Sequence, residues 1–271
     1  MNSKTYWHRT ITGIALLMFS WGAQAQGIVG SQHDLTAGGS SQDPSAASDQ
    51  VCVFCHTPHG SDITAAVPLW NKTMLVPSTY ERYSELQTAT FDSNEAPVGS
   101  VSLACLSCHD GSQAMDVVLN SPGTGMGTGR IDPTMLAMTG SPVPMLGTDL
   151  RDDHPISMQY AGGGASDSDP DGTFPGSLGD PDFSAPEKAT INTVPMWWVD
   201  SLGTGLGTRE KTDMLLYTRN DAIGGTGALE PFVECGSCHD PHNSSTGGPS
   251  QVSFLRIDQT ASQICTTCHI K

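Results

Sequence analysis

Cysteine is confined to a single repeated pattern, Cys-x-x-Cys-His, which occurs four times in the 271-residue chain and uses all eight cysteines. The copies begin at Cys52, Cys105, Cys235 and Cys265. This pattern is the attachment signature of a c-type haem: both cysteines form thioethers to the porphyrin and the adjacent histidine binds the iron. We therefore expect four covalently attached haems, held by Cys52, Cys55, Cys105, Cys108, Cys235, Cys238, Cys265 and Cys268.

Other uses of Cys-x-x-Cys explain the pattern less well. Zinc knuckles and thioredoxin-type redox pairs contain this spacing but do not require a histidine directly after the second cysteine. A disulfide framework suits an exported chain, yet a loop of two residues is too tight for an ordinary structural disulfide. Neither alternative accounts for a histidine that recurs four times.

The nine histidines extend the prediction from haem attachment to iron ligation. His8 lies in the N-terminal segment discussed below. Four histidines complete the motifs as proximal ligands, and these are His56, His109, His239 and His269. The other four match the number of distal ligands that four six-coordinate irons need, and these are His33, His59, His154 and His242. The match favours bis-histidine ligation, although the eleven methionines leave His/Met ligation open.

The spacing of two distal candidates restricts which iron they can bind. His59 and His242 each lie three residues after a proximal histidine, so neither can reach the opposite face of the haem on its own motif. Each must bind a different haem. His33 and His154 are remote from the motifs and each neighbours an aspartate. We expect Asp34 and Asp153 to accept the Nδ1–H bonds that orient those imidazoles.

Residues 1–25 have the features of a secretory signal peptide. Lys4 and Arg9 form a basic start, residues 11–21 are apolar, and Ala-Gln-Ala at 23–25 is a small-x-small cleavage site. An uncleaved membrane anchor is the alternative, but the apolar run is shorter than the ~20 residues that cross a bilayer. Cleavage would leave ten basic against 28 acidic residues, a formal net charge of −18. Such a chain suits neither nucleic acid nor an anionic membrane as a partner.

Composition predicts little regular structure. The chain contains 30 glycines and 18 prolines but only 6% aromatic residues, so its own side chains offer a small core. We expect a mostly coil, haem-packed fold with few short helices and strands. Its parts would be a di-haem module at 26–119, a haem-free Gly/Pro-rich insert at 120–230 and a second di-haem module at 231–271, all within one haem-dependent domain.

Local patterns predict short helices at 80–86 and 110–119 and strands at 196–199 and 213–217. The acidic run at 167–172 resembles the start of a calcium loop, but Leu178 stands where an EF-hand has its closing glutamate. A solvated acidic loop is therefore the simpler interpretation.

Several segments together carry a resemblance to a known family. They are S-Q-H-D-L at 31–35, V-C-V-F-C-H-T-P-H at 51–59, P-L-W-N at 68–71, L-A-C-L-S-C-H-D-G at 103–111, D-H-P-I-S at 153–157 and the doubled motif from Cys235 to His269. The set resembles the extracellular tetrahaem cytochromes that polymerise into conductive filaments, called cytochrome nanowires, in metal-reducing bacteria, with similar filaments in archaea. That resemblance implies bis-histidine haems, a mostly coil fold and continuous haem stacking, with one histidine binding a haem of the next subunit.

Three functions compete for the same motifs. The first is an extracellular electron conduit that polymerises head to tail and passes electrons to redox partners or external acceptors. The second is a monomeric periplasmic electron shuttle. The third is a multihaem enzyme, which needs an open iron position, and four distal histidines for four haems leave none. We expect no enzymatic activity, and we expect His59, or failing that His33, to be the ligand shared between subunits; ligation entirely within one chain is the alternative.

Overall fold

The computed structural model describes residues 27–39, 41, 43–45, 47–91, 93–122, 129–138, 145–164, 178–204, 207–220, 229–243 and 254–270. The predicted signal peptide at 1–25 and the acidic run at 167–172 lie outside these residues. None of the helices within the described ranges is long and apolar enough to cross a membrane.

The predicted fold class is confirmed, since most of the described chain is coil with short elements. The α-helices are α1 (Ser100–His109), α2 (Cys235–Cys238) and α3 (Gln263–Thr266). The strands are β1 (Val117–Val118), β2 (Gly129–Arg130), β3 (Met158–Gln159), β4 (Glu187–Ile191), β5 (Val194–Val199), β6 (Met214–Arg219) and β7 (Glu230–Val233). Single turns of 3-10 helix cover Pro77–Thr79, Tyr83–Leu86, Tyr160–Gly162 and Thr260–Ser262.

Most of the strand residues belong to one antiparallel sheet with the order β3-β7-β6-β5-β4. The strands predicted at 196–199 and 213–217 are confirmed as parts of β5 and β6, whose apolar and aromatic residues suit a half-buried pleated surface. Asn192 and Thr193 join β4 to β5 with φ values of 51° and 69°. Positive φ at both central residues defines the turn type that matches the twist of a two-residue hairpin.

The helix predicted at 110–119 is wrong, because the helix lies directly before that segment. α1 covers Ser100–His109 and contains the second motif, and Asp110 follows as its C-cap. Gly111 adopts φ +71°, a left-handed conformation that ends helices. Residues after it form turns and then β1. The prediction at 80–86 is confirmed in part, as a 3-10 turn over Tyr83–Leu86.

The core is divided into three small clusters, each in contact with a motif. Trp197, Val199, Met214 and Leu216 of the sheet pack with Tyr160 and contact Cys238 and Cys268. A second cluster surrounds α1 and includes Leu103 and Leu106. A third includes Leu35, Phe54, Met115 and Met135 and contacts Cys55. The apolar interior therefore lies against the places where the haems would attach.

Candidate haem-binding sites

All four motifs adopt one turn of helix. The backbone N–H of His56, His239 and His269 donates to the carbonyl of the first cysteine of its motif, at 2.8, 3.0 and 2.9 Å. The remaining motif, with His109, forms the end of α1. Residues three apart in a helical turn lie on the same side, so the two thiols of each motif could both attach to one porphyrin.

Of the eight motif cysteines, six are partly buried, and Cys52 and Cys265 are exposed. All eight are free, so no disulfide joins them. Burial raises the pKa of Cys55 to about 12, of Cys238 to about 11 and of Cys268 to about 12. Redox-active and metal-binding cysteines show the opposite shift, because they must ionise. The pKa of Cys235 is lowered, chiefly by a hydrogen bond from the Cys105 thiol, and the same bond raises the pKa of Cys105. Within the described ranges, the one group of three or more potential metal ligands is Asp200, Glu210 and Asp213, so no cysteines there form a zinc site.

Two histidine pairs have the separation that an iron between them requires. The ring centroids of His56 and His242 are 6.2 Å apart, with an angle of 18° between the ring planes. Those of His33 and His109 are 6.1 Å apart, at 72°. Imidazole nitrogens bind metals at about 2 Å, so an iron with two axial histidines holds their centroids roughly 6 Å apart. In each pair one member is a motif histidine and the other a distal candidate.

A third pair is less closely defined. His154 is exposed, yet its pKa is lowered, chiefly by desolvation and in part by the positive charge that nearby His269 could acquire. For His33 the same causes are stronger: burial, followed by repulsion from His109, lowers its pKa to about 4. Both imidazoles are therefore neutral at pH 7, which is the form that binds a metal.

Hydrogen bonds at Nδ1 leave Nε2 available on several of these rings. His56 Nδ1 lies 2.8 Å from the carbonyl of Pro68, and His154 Nδ1 lies 3.1 Å from that of Pro155. His242 Nδ1 lies 3.7 Å from an Asp240 carboxylate oxygen, and this contact is the main reason that the pKa of His242 is raised. A carbonyl or carboxylate can only accept, so Nδ1 carries the proton and Nε2 would be the atom that binds an iron.

The expected roles of Asp34 and Asp153 are wrong. Asp34 accepts bonds from the backbone of Gly30 and from both the backbone and hydroxyl of Thr36, so it braces its own loop. His33 Nδ1 instead lies 3.5 Å from the carbonyl of Pro241, a long contact. An aspartate in a turn can accept hydrogen bonds from its own loop instead of from the neighbouring histidine, and the sequence pattern does not show which partner it takes.

His59 and His239 differ sharply in their surroundings. The carbonyl of His59 accepts bonds from Thr57 Oγ1 at 3.0 Å and from Asn120 Nδ2 at 2.9 Å, which holds the backbone of its loop. The residue itself is exposed. His239 is half-buried and close enough to contribute to the lowered pKa of His33.

Aromatic residues contact three of the axial candidates, and the motif analysis did not identify them. Phe254 stacks on His33 at 4.1 Å, Phe183 lies 4.4 Å from His269 and Trp70 meets His56 edge-on at 5.9 Å. The sequence gives only one indication of these contacts, which is that large aromatic residues are few: the chain has seven phenylalanines and five tryptophans.

Buried indole groups also fit a haem. The Nε1 atoms of Trp70, Trp197 and Trp198 are buried and have no acceptor in the part of the chain that the structure describes. A buried donor without a partner costs about 1–3 kcal/mol, so such groups normally have an acceptor. Haem propionates are acceptors of this kind. The residues present therefore fit the group that the motifs predict.

The second and third motifs lie side by side. Ser102 of α1 donates to the Glu234 carboxylate at 2.5 Å and accepts the N–H of Cys235 at 2.9 Å. Glu234 is 1% exposed and also bonds Ser157 and Arg219. Burial raises its pKa, and the Arg219 guanidinium, 2.7 Å away, opposes that effect. A buried polar network thus joins the two motif-bearing ends of the chain.

Comparison with known families identifies one of these regions. A family model described as the doubled CXXCH motif matches residues 230–271. The match supports a multihaem c-type cytochrome-like family and indicates covalently bound haem c and electron transfer. No curated protein matches the chain.

Proposed function

We propose that this chain carries four c-type haems, each with two axial histidines, and that copies of it assemble head to tail into an extracellular filament that conducts electrons. Haem supplies the redox centre, which alternates between ferric and ferrous iron. The protein holds neighbouring haems at fixed positions and keeps each iron closed to substrates. It acts as a carrier and not as an enzyme.

One observation carries the proposal: histidines from distant parts of the chain face motif histidines at the separation of two axial ligands. His242, which follows the third motif, faces His56 of the first, and His33 faces His109. His242 thus serves a haem other than its own, as its spacing requires. Crossed ligation of this kind ties neighbouring haems together, because one short segment binds two irons.

Two distal histidines, His154 and His59, remain to be assigned to a haem. His154 is the distal candidate nearest to His269, as their electrostatic interaction indicates. Four distal histidines then leave His59 for the haem attached at Cys235 and Cys238. Among the described residues, His59 has no ring contact with a motif histidine, unlike His33 and His242, so we assign it to the haem of a neighbouring copy. The position of His33 beside His109 argues against our second choice of shared ligand.

The surface around His59 supports a protein partner. Ile63, Leu69 and Val76 are 94%, 50% and 64% exposed, although each is a large apolar residue. The segments that carry them are neighbours: the N–H of Asp62 donates to the carbonyl of Trp70 at 2.9 Å, and Val76 lines a cavity of about 360 Å³ with Thr64, the residue after Ile63. Exposed apolar patches mark interaction sites. A contact between this surface and a different surface of the next copy does not close on itself, so it produces a filament.

The decisive experiment replaces His59 with alanine and His154 with alanine in separate variants of the secreted protein. Both should retain four attached haems, and both should show one high-spin ferric iron per chain, which binds cyanide and, after reduction, carbon monoxide. Only His59→Ala should abolish filaments in negative-stain microscopy, because only this ligand crosses between copies.

Two outcomes would contradict the assignment. Filaments formed by His59→Ala with all four irons six-coordinate would remove the shared role of His59. A native protein that stays monomeric with four low-spin haems would instead identify a periplasmic shuttle. Recovery of the native protein outside the cell, with the chain beginning at residue 26, tests the predicted secretion.

A further inference from the structure

The two histidine pairs with ring separations near 6 Å differ in the angle between their rings. His56 and His242 are nearly parallel at 18°, whereas His33 and His109 are nearly perpendicular at 72°. Each imidazole interacts with one iron d orbital through its π system. Parallel rings act on the same orbital and separate it from its partner in energy, while crossed rings act on both equally. Ferric haems of the two kinds therefore have different electron paramagnetic resonance (EPR) signals.

The plane of His33 is set by few contacts. Its Nδ1 atom is 3.5 Å from the carbonyl of Pro241, which is longer than the usual 2.7–3.2 Å of such a bond. The Phe254 ring, in contrast, stacks on the imidazole with centroids 4.1 Å apart and planes within 11°. A flat ring in face contact restricts rotation of its neighbour much more than one long hydrogen bond.

Phe254 is itself firmly placed. Its side chain is 7% exposed, and its carbonyl accepts the N–H of Asp240 at 2.8 Å. The next residue, Leu255, forms a β-bridge with His239. Phe254 also has φ +64°, an uncommon conformation for a phenylalanine. The third motif thus fixes the position of the ring that lies on His33.

We propose that Phe254 is a positioning residue that holds the His33 imidazole across the plane of His109, so that the haem on Cys105 and Cys108 has crossed axial ligands. The haem on Cys52 and Cys55 has nearly parallel ones. The inference rests on the two ligand pairs of the proposed function. It makes two haems of one chain spectroscopically and electronically distinct through a residue that is neither a ligand nor an attachment point.

EPR spectroscopy of the oxidised holoprotein tests this proposal. The native spectrum should contain a signal with a large maximum g value from the crossed pair and a rhombic signal from the parallel pair. Phe254→Leu keeps an apolar side chain but removes the flat face. It should remove the large-g signal of one haem, while optical spectra still show four low-spin, six-coordinate haems. Phe254→Tyr should restore that signal.

Phe183→Leu is the matched control, because Phe183 contacts a different axial candidate, His269. It should leave intact the signal that Phe254→Leu removes. If the leucine variant does not bind four haems, Phe254→Met, which fills the space with a flexible chain, replaces it. His33→Met should also remove the same signal, since it replaces one of the two crossed rings.

The outcomes separate this inference from the proposed function. An unchanged large-g signal in Phe254→Leu or Phe254→Met would overturn the role of Phe254. Loss of the same signal in Phe183→Leu would overturn its assignment to the His33 haem. A native protein with four low-spin haems but no large-g signal would refute the crossed pair alone, whereas high-spin iron in the assembled filament would refute the proposed ligation.

Discussion

The five-stranded sheet and the motif-bearing segments bury apolar surface in different ways. In the sheet, Trp197 pairs with Leu216 across neighbouring strands and both are at most 4% exposed. The motif segments form single helical turns and the helix α1, and their buried side chains belong to small separate clusters. The sheet resembles an ordinary protein core, whereas the turns have too few apolar contacts to hold together without a large apolar cofactor.

The sheet and the motif-bearing segments are not fully separate, because they meet in one apolar cluster. The cluster that covers the sheet also includes partly buried Cys238 and Cys268, so attachment points for haem complete one side of the sheet's core. This suggests that the sheet depends on the haems as well. Four predictions test how far the two regions are independent, in order of decreasing effect.

Removal of the haems should have the largest effect. A variant with serine at all eight motif cysteines should show no cooperative unfolding transition, because the remaining apolar contacts do not offset the chain entropy of the Gly-rich coil. Hydrogen exchange should show β5 and β6 losing protection along with the motif turns. Protected amides confined to the sheet would instead establish it as an independently folding unit.

Loss of the buried ion pair should follow. Arg219→Leu leaves the Glu234 carboxylate buried without its cation and should lower the free energy of unfolding of the holoprotein by about 3–5 kcal/mol. Arg151→Leu removes pairs with Asp149 and Glu81 that are exposed, and should lower the free energy of unfolding far less, because water screens such pairs. Chemical denaturation measures both. Equal effects would mean that the network around Glu234 stabilises the fold no more than exposed ion pairs do.

A substitution in the hairpin between β4 and β5 should increase the stability of the protein. Thr193 is β-branched and has φ +69°, which is unfavourable for such a residue. Thr193→Gly should stabilise the holoprotein by up to about 1 kcal/mol, since glycine adopts this conformation without steric cost. Thr190→Gly, within β4, should destabilise it. A loss of stability in Thr193→Gly would show that the threonine is not strained.

The smallest effect concerns surface charge and pH. Hydrogen bonds from the Arg151 side chain lower the pKa of Asp149 to about 2, from an ordinary value of 3.8. Because the folded pKa lies below the unfolded one, this pair's contribution is present above about pH 4 and is lost as the pH falls through about 2. Nuclear magnetic resonance titration should follow Asp149 directly. In Arg151→Leu its pKa should return towards the ordinary value.

Much of this organisation could be predicted from local pattern. The motifs identify the attachment residues because thioether chemistry requires a fixed spacing, and β5 and β6 followed from their apolar, aromatic composition. The helix at 110–119 was wrong because the decisive residue is Gly111, whose left-handed conformation follows the end of a helix that begins at Ser100.

Features that depend on the tertiary structure could not be predicted. Asp34 turns to its own loop instead of to His33, and nothing local distinguishes these two choices. The stacking of Phe254 on His33 joins residues more than 200 positions apart, and in a single sequence such a contact leaves no trace.

The pairing of His56 with His242 has a consequence for biogenesis. If the chain is exported from its N-terminus, as the predicted signal peptide implies, the first motif would leave the cytoplasm well before His242 does. A haem attached there at once would wait with one axial position open, exposed to cyanide, carbon monoxide or oxygen. His242 would then complete the ligation of the first iron only when nearly the whole polypeptide has been exported.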